Sequence, residues 1–322
     1  MSPTSVTYSF MTDINDIIQR LGYSEREPKG LYTPISYALS AGGKRLRPRL
    51  AILGAQLFEG REAAGEQLES RVMPAALALE IFHNFTLLHD DVMDNAEVRR
   101  GRPCVHKQWD VNTAILSGDQ MLIEAYTLLS QVESHRLGEV LHLFNTMATG
   151  VCEGQQLDVD FENRDDVTLN DYLKMIGGKT AILLATALRI GALLAGANEQ
   201  EQLTIYEIGY HLGIAFQIED DLLDCYGDEK TFGKAIGGDI REGKKTYLLL
   251  TANERNGRPI QTRGRSLDEV LSDYDRLGVK QATTKAIADE TESARLLLLT
   301  LPVTNAREQL MSLADKLAQR TI

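Results

Sequence analysis

The chain has 322 residues, enough for one large domain or two of medium size. Hydrophobic residues make up 43 % of it, so a substantial core can form and disorder is not the default. The formal net charge of −12 argues against a nucleic-acid partner, whose phosphates require a basic surface, and leaves any anionic ligand to be drawn in by metal ions and local cations.

Met1–Tyr8 lack the basic segment and long apolar run of a secretory signal. Helical periodicity dominates from there on, and period-two alternation is almost absent. Amphipathic helices are predicted for Met11–Leu21 and Leu31–Ser40, the second stopping at Ala41-Gly42-Gly43. A helix near Leu50–Phe58 ends at the polar Glu59–Glu62 loop. Pro74 suits the first turn of the next helix, where its missing N–H costs nothing. That helix carries the run Leu79–Asp94 and stops near Asn95, with Gly101 and Pro103 marking a loop behind it. Helices follow near Trp109–Val132 and Glu139–Asp158; Thr168 or Asn170 caps a short helix that Gly177-Gly178 breaks. Thr180–Ala195 is small and apolar, the pattern of a helix buried all round, and Gln200–Asp224 is long. Tyr226–Lys245, rich in glycine and lysine, reads as a loop; helices resume at Thr246, Asn253–Ser266 reads as a surface loop, and Ala282–Leu299 and Asn305–Arg320 close the chain. No Pro/Gly-rich linker divides it, so one all-α domain over residues 1–322 is expected. The longest apolar runs, such as Leu296–Leu299, fall short of the roughly 20 residues of a membrane helix, so no transmembrane segment is expected. Cys104, Cys152 and Cys225 form neither a disulfide framework nor a zinc spacing, which fits a reducing cytoplasm.

The run Leu79–Asp94 is an apolar helix that ends in three carboxylates. Asp90 and Asp94 lie about one turn apart on one face, and acids this close repel unless a cation sits between them. All-oxygen ligands suit Mg²⁺. A lone Asp-Asp-x-x-Asp is also common on solvated helix ends, but Phe216–Asp224 repeats the design with Asp220, Asp221 and Asp224. Two such sites facing each other would clamp several Mg²⁺ ions and a ligand rich in negative oxygens. Gly42-Gly43-Lys44-Arg45-Leu46-Arg47-Pro48 sets two permissive glycines before a cluster of cations; Lys44 and Arg47, three apart, share a face if the helix has begun there. The bland alternative is a basic helix start at the surface. Arg99-Arg100-Gly101-Arg102-Pro103 follows the first acidic motif closely, and its guanidinium forks match phosphate oxygens; alternatively they only pair with Asp91 or Glu97.

These motifs occur in one order with His106, Gly-Gly-Lys-Thr at 177–180, Gln-Ile-Glu-Asp-Asp-Leu-Leu-Asp at 217–224, Phe-Gly-Lys at 232–234 and Gly-Lys-Lys-Thr at 243–246. Over residues 42–246 the chain resembles the trans-isoprenyl diphosphate synthases, short-chain polyprenyl synthetases of the geranylgeranyl and farnesyl diphosphate synthase kind. The resemblance implies the all-α isoprenoid synthase fold, with helices surrounding a deep central catalytic cavity, in a cytoplasmic homodimer. It implies Mg²⁺, three ions per active site, and two substrates, isopentenyl diphosphate and an allylic diphosphate. The allylic partner ionises to a carbocation, the double bond of isopentenyl diphosphate attacks it, and a proton leaves.

By resemblance, Asp90, Asp94 and Asp220 bind the metal, while Asp91, Asp221 and Asp224 act through water or neighbouring ligands. Arg99, Lys179 and Lys234 would hold the allylic diphosphate, and Lys44, Arg47, His83 and Arg100 that of isopentenyl diphosphate, with Lys244 adding charge. His83, seven residues before Asp90, shares its face; otherwise it is a satisfied core histidine. Thr180 and Gln217 would steady the carbocation by their dipoles, or else bond to helix backbone. No dedicated protein base is legible, and the resemblance implies that the departed diphosphate takes the proton. Phe85 and Thr86, five and four residues before the first Asp, correspond to the family's floor for the growing chain. One large and one small residue there favour the twenty-carbon geranylgeranyl diphosphate, with farnesyl diphosphate as the alternative. Periodicity puts Thr86, not Phe85, on the face of Asp90, so Phe85 can equally be an ordinary core aromatic. A terpene cyclase usually keeps only one Asp-rich motif, and a non-catalytic regulatory subunit loses aspartates; both motifs are intact here.

Overall fold

Apolar residues at helical spacing bury one stripe each, and in a computed structural model covering residues 13–227 and 236–319 they fold the chain almost entirely into helices. The helices form two compact units. One runs to Leu143 and takes back Ala187–Asn198; the other comprises Phe144–Thr186 and the chain from Glu199. Met1–Tyr8, Lys234 and the middle of the Tyr226–Lys245 stretch fall outside the described residues.

The first unit contains α1 (Ile14–Arg20), α2 (Lys29–Ser40), α3 (Leu46–Gln56), α4 (Gly65–Met93), the short α5 (Val105–Gln108), α6 (Val111–Leu129) and the start of α7 (Ser134–Phe161). Its axis is α4, buried without interruption from Val72 to Phe82 and packed on α3 and α6. A helix apolar all round belongs in a core. Pro74 therefore does not begin this helix, as predicted; α4 starts at Gly65 and Pro74 lies inside it. The lost hydrogen bond of an interior proline is outweighed by the packing of Leu68, Val72 and Met73 on its N-terminal side. The predicted loop around Gly101 and Pro103 is a tight antiparallel hairpin, β1 (Val98–Arg99) against β2 (Arg102–Pro103). Its two central residues, Arg100 and Gly101, have φ of 52° and 75°, the sign that two-residue hairpin turns favour.

The second unit holds the rest of α7, then α8 (Leu169–Ile176), a π-helical turn (Gly177–Ala181), the start of α9 (Ile182–Leu194), α10 (Glu199–Tyr226), α11 (Gly238–Glu242), α12 (Tyr247–Asn256), α13 (Leu267–Arg276), α14 (Val279–Leu298) and α15 (Asn305–Gln319). Thr168 caps α8 in a capping box with Asp171. Gly177-Gly178 does not break the helix, contrary to expectation, but widens it into the π turn. The glycines are there for closeness: a Cβ on Gly177 would lie 2.1 Å from the Tyr210 hydroxyl, and one on Gly178 2.7 Å from the Gly150 carbonyl. Residues 238–242, read as loop, form α11, and α13 was not anticipated although Ser266 and Glu269 build its capping box. Tyr172, Ile214, Ile218, Leu248, Tyr274 and Ile287 share the core of this unit, with α14 packed along α10.

Because helix runs on through the π turn, Leu169–Leu194 is 26 residues long, and an 18-residue window within it has a mean hydropathy of 1.4. By length and composition it could cross a membrane, but 78 % of that window is buried inside the structure, as in a core helix, and that burial accounts for its apolarity.

Two outcomes are expected. A Cβ on Gly191 would meet the Ala51 carbonyl oxygen at 1.9 Å, so Gly191→Ala should force α3 and α9 apart. It should cost about 1–3 kcal/mol in thermal unfolding; an unchanged transition would contradict the close approach. In the second unit His211 Nδ1 lies 2.6 Å from Glu290 Oε2, joining α10 to α14. The hydrogen bond to Glu290 raises the His211 pKa against the opposing effect of burial. The stabilisation is thus complete below the ordinary histidine pKa of about 6.5 and fades as pH rises through the raised value. Urea midpoints of the parent and Glu290→Gln should differ at pH 6 and converge by about pH 9.

Candidate active site

Both acidic motifs lie at helix C-termini, where the backbone dipole already presents negative charge. Carboxylates there are unfavourable unless cations compensate. On α4, Asp90 and Asp91 occupy the last turn and Asp94 is the C-cap. The hairpin folds Arg99 back onto them, its Nε donating to Asp91 Oδ1 at 2.7 Å and its Nη2 lying 3.4 Å from Asp90 Oδ2. Asp91 is buried, which pushes its carboxyl up, while Arg99 and the Cys104 thiol bonded to it pull it back. The Cys104 thiol is itself pushed up to about 12 by burial and by Asp91. Asp91 thus anchors Arg99, the pairing kept as the bland alternative, while Asp90 and Asp94 share the half-buried face one turn apart.

The cations lie in the same unit. Gly42 and Gly43 adopt φ of 76° and 133°, and the Arg100 side chain packs on them: a Cβ on Gly43 would stand 3.0 Å from its Cζ. Arg100 also donates to the Gly42 carbonyl, which helps hold a non-glycine residue at positive φ in the hairpin. Lys44 is exposed and Arg47 half-buried. Withdrawal from water lowers the Arg47 guanidinium to about 10, Arg100 adding to the effect and Glu80 opposing it. Burial, then Arg47, Arg100, Arg99 and Arg45, hold the His83 imidazole well below its usual pKa, so His83 is neutral among guanidinium groups.

Arg45 and Glu80 were missed. Arg45 sits at φ 47° as the N-cap of α3 and turns inward. Its Nη1 donates to Glu80 Oε1 at 2.7 Å, its Nη2 to the Leu39 carbonyl at 2.6 Å and its Nε to Asn15 Oδ1 at 2.9 Å. Asn84 donates to the same Glu80 oxygen at 3.1 Å. A glutamate inside an unbroken apolar run is the signal that pointed to a buried partner. Phe85 is half-buried beside Phe82 and His89, and the Thr86 hydroxyl donates to the His83 carbonyl at 2.8 Å. A cleft of about 370 Å³ opens along another face of α4, between Asn84, Leu88 and Asp91 on one side and Tyr37, Arg99 and Arg100 on the other.

In the second unit, Asp221 accepts from the Tyr172 hydroxyl at 2.6 Å, the Tyr247 N–H at 3.0 Å and Gln217 Nε2 at 3.1 Å. Burial still raises it to about 6. Asp224 accepts from the Gly238 and Asp239 N–H groups at 3.2 and 3.1 Å and so caps α11. Asp220, next to Asp221, is half-buried. Thr180 Oγ1 donates to Gln217 Oε1 at 2.9 Å, so Thr180 and Gln217 bond to each other and, through Asp221, join Tyr172 in one hydrogen-bonded chain. Gly154 admits the Lys179 backbone (a Cβ would lie 2.2 Å from its N), and Lys179 Nζ reaches Asp158 Oδ2 on α7 at 2.6 Å. Lys244 pairs with Glu242 at 3.1 Å. Lys234 lies outside the described residues. Asp239 was also missed: burial, Asp221 and Asp224 push its carboxyl well up, opposed by Lys244.

The donors suit Mg²⁺. Among the described residues no three His, Cys, Asp or Glu close into a ready-made metal cage. Mg²⁺ requires none, since it keeps waters and is typically held by one or two carboxylates together with substrate phosphates.

The polyprenyl synthetase family model matches residues 28–283, running through both units. A geranylgeranyl diphosphate synthase of Methanosarcina mazei is 45 % identical over 230 residues, covering 71 % of this chain and 69 % of the relative. A geranylfarnesyl diphosphate synthase of Natronomonas pharaonis is 36 % identical over 315 residues, covering 92 % of each. A crystal structure of a geranylgeranyl pyrophosphate synthase matches with a TM-score of 0.86 at 43 % identity, covering 95 % of this chain and 96 % of that one. A polyprenyl synthase of Caulobacter crescentus, complexed with calcium and isoprenyl diphosphate, matches with a TM-score of 0.84 at 30 % identity, covering 95 % and 94 %.

Glu80→Ala should strand a buried guanidinium and cost about 3–5 kcal/mol in denaturant unfolding. A loss below about 1 kcal/mol, the worth of an exposed pair, would show that Arg45 and Glu80 do not pair in the interior.

Proposed function

The chain belongs to the polyprenyl synthetase family, with its all-α isoprenoid synthase fold, and on that premise we propose that it condenses isopentenyl diphosphate with an allylic diphosphate, in the presence of Mg²⁺, to make geranylgeranyl diphosphate. It is a trans-prenyltransferase. The observation that carries the reading is the repeated Asp-Asp-x-x-Asp at the ends of α4 and α10 together with the cations set beside the first of them.

Asp90, Asp94 and Asp220 would hold Mg²⁺, three ions per active site, which when bound neutralise charge growing on the departing diphosphate. Asp91 and Asp224 keep Arg99 and α11 in place, and Asp221 fixes Gln217. Arg99, Lys179 and Lys234 grip the allylic diphosphate, and Lys179 exchanges Asp158 for it. Lys44, Arg47, Arg100 and neutral His83 take the diphosphate of isopentenyl diphosphate. His83 adds an N–H donor there without further positive charge. Lys244 adds cationic charge. Gln217 gives its amide N–H to Asp221, which orients its carbonyl oxygen, with Thr180, as a dipole that steadies the carbocation without attacking it. The departed diphosphate accepts the final proton. Phe85 and Thr86, one large and one small, set the floor for the twenty-carbon product.

The chain acts as one domain in a cytoplasmic homodimer. Leu116, Ile123 and Tyr126 expose an apolar stripe at helical spacing along α6, a surface suited to a second copy. The three cysteines are free thiols, as a reducing compartment requires.

Excess chelator should abolish turnover, and Asp90→Ala or Asp220→Ala should lower kcat by at least about a hundredfold without loss of helical circular dichroism, the scale of losing a major electrostatic stabiliser. Full activity in chelator would refute the reading. Lys44→Ala and Arg47→Ala should weaken isopentenyl diphosphate roughly tenfold more than the allylic substrate, about one charged contact's worth; equal losses in separate titrations would remove the two-site assignment.

A further inference from the structure

Phe85 does not share the face of Asp90. It lies with Phe82 and His89, three and four residues away, on a face turned from His83, Asp90 and Asp94. The three rings form a row: Phe82 to Phe85 at 5.5 Å between centroids, and Phe85 to His89 at 4.8 Å with planes 70° apart, an edge-on contact. His89 is fixed from α6. Its Nε2 lies 3.1 Å from the Ile115 carbonyl, which can only accept, so this nitrogen carries the proton. One turn on, Gly118 leaves a notch for the imidazole. A Cβ there would stand 2.3 Å from Nε2 and 2.6 Å from Cδ2. Glycine inside a helix weakens it by roughly 0.5–1 kcal/mol relative to alanine, so its place in the middle of α6 calls for a packing reason, and the His89 ring supplies one.

We propose that His89 and Gly118 set product length through Phe85: His89, seated in the Gly118 notch, is a positioning residue that backs the Phe85 ring and keeps it from yielding to the growing chain. The inference rests on the reading of Phe85 as floor and adds two residues to it, one of them on a different helix. His89 would thus link α6 to chain length while belonging to neither the metal ligands nor the diphosphate ligands.

The test is product analysis by chain length for four variants of the full-length protein with isopentenyl diphosphate and an allylic primer. Gly118→Ala evicts the imidazole from its notch. His89→Gln keeps an N–H for the Ile115 carbonyl but removes the ring, so it carries the test if Gly118→Ala does not fold. Each should raise the ratio of products longer than twenty carbons to the twenty-carbon product by roughly three- to tenfold, the range one aromatic contact commands. Phe85→Ala should lengthen the product by itself, and Phe85→Ala with His89→Gln should go no further than Phe85→Ala alone. A purely structural role for His89 would lower the melting temperature and leave the product unchanged. If Phe85→Ala lengthens the product while His89→Gln and Gly118→Ala, where it folds, retain the parent's, the inference falls and the floor reading stands. If Phe85→Ala also leaves the product unchanged, both fall.

Discussion

Carboxylates gathered at the C-terminal ends of helices are the constraint on which the rest depends. The dipoles of α4 and α10 oppose Asp90, Asp91 and Asp94 on one helix and Asp220, Asp221 and Asp224 on the other. Isolated, such clusters would loosen the helix ends that bear them. The fold responds by tying one or two acids of each motif into the protein. Asp91 is taken by Arg99, Asp221 by Tyr172, Gln217 and the Tyr247 N–H, and Asp224 by the first N–H groups of α11. Asp90, Asp94 and Asp220 are the residues that the proposed function assigns to metal.

The cationic side follows a complementary rule. Burial, and after it the guanidinium groups gathered there, keeps the His83 imidazole neutral and makes Arg47 less basic than usual. The mutual repulsion of these groups is unfavourable, and under the proposed function the diphosphate of isopentenyl diphosphate would relieve it, so charge binding and preorganisation would be one feature. The buried Arg45–Glu80 pair lets the Gly-Gly-Lys turn sit against α4 by neutralising Arg45 where it turns inward.

Much of this was legible in the sequence, because helices and their caps announce themselves over a few residues. The periodic runs gave the long helices, both acidic motifs fall at helix ends as read, and the permissive Gly42 and Gly43 do take positive φ. The misses share a different cause: they depend on what lies across a helix interface. Pro74 reads as a helix start until the apolar residues before it are seen to be buried. Gly177-Gly178 reads as a break until Tyr210 and Gly150 are seen to leave room only for glycine. Arg45 looks like one more surface cation in its motif until Glu80 is placed beneath it, and Asp239 looks like a loop acid until α11 forms. Phe85 marks the same limit: periodicity gave its face correctly but not the histidine that shares it from the next turn, nor the glycine on α6 that holds that histidine.

The central claim is that these two acidic helix ends and their cations serve chain elongation. The direct measurement is to incubate the purified protein with isopentenyl diphosphate, an allylic primer and Mg²⁺, dephosphorylate the products and separate them by length. All-trans geranylgeraniol as the main alcohol is the expected result. Recovery of both substrates unextended, or of the primer converted to a cyclic hydrocarbon without uptake of isopentenyl diphosphate, would contradict the account.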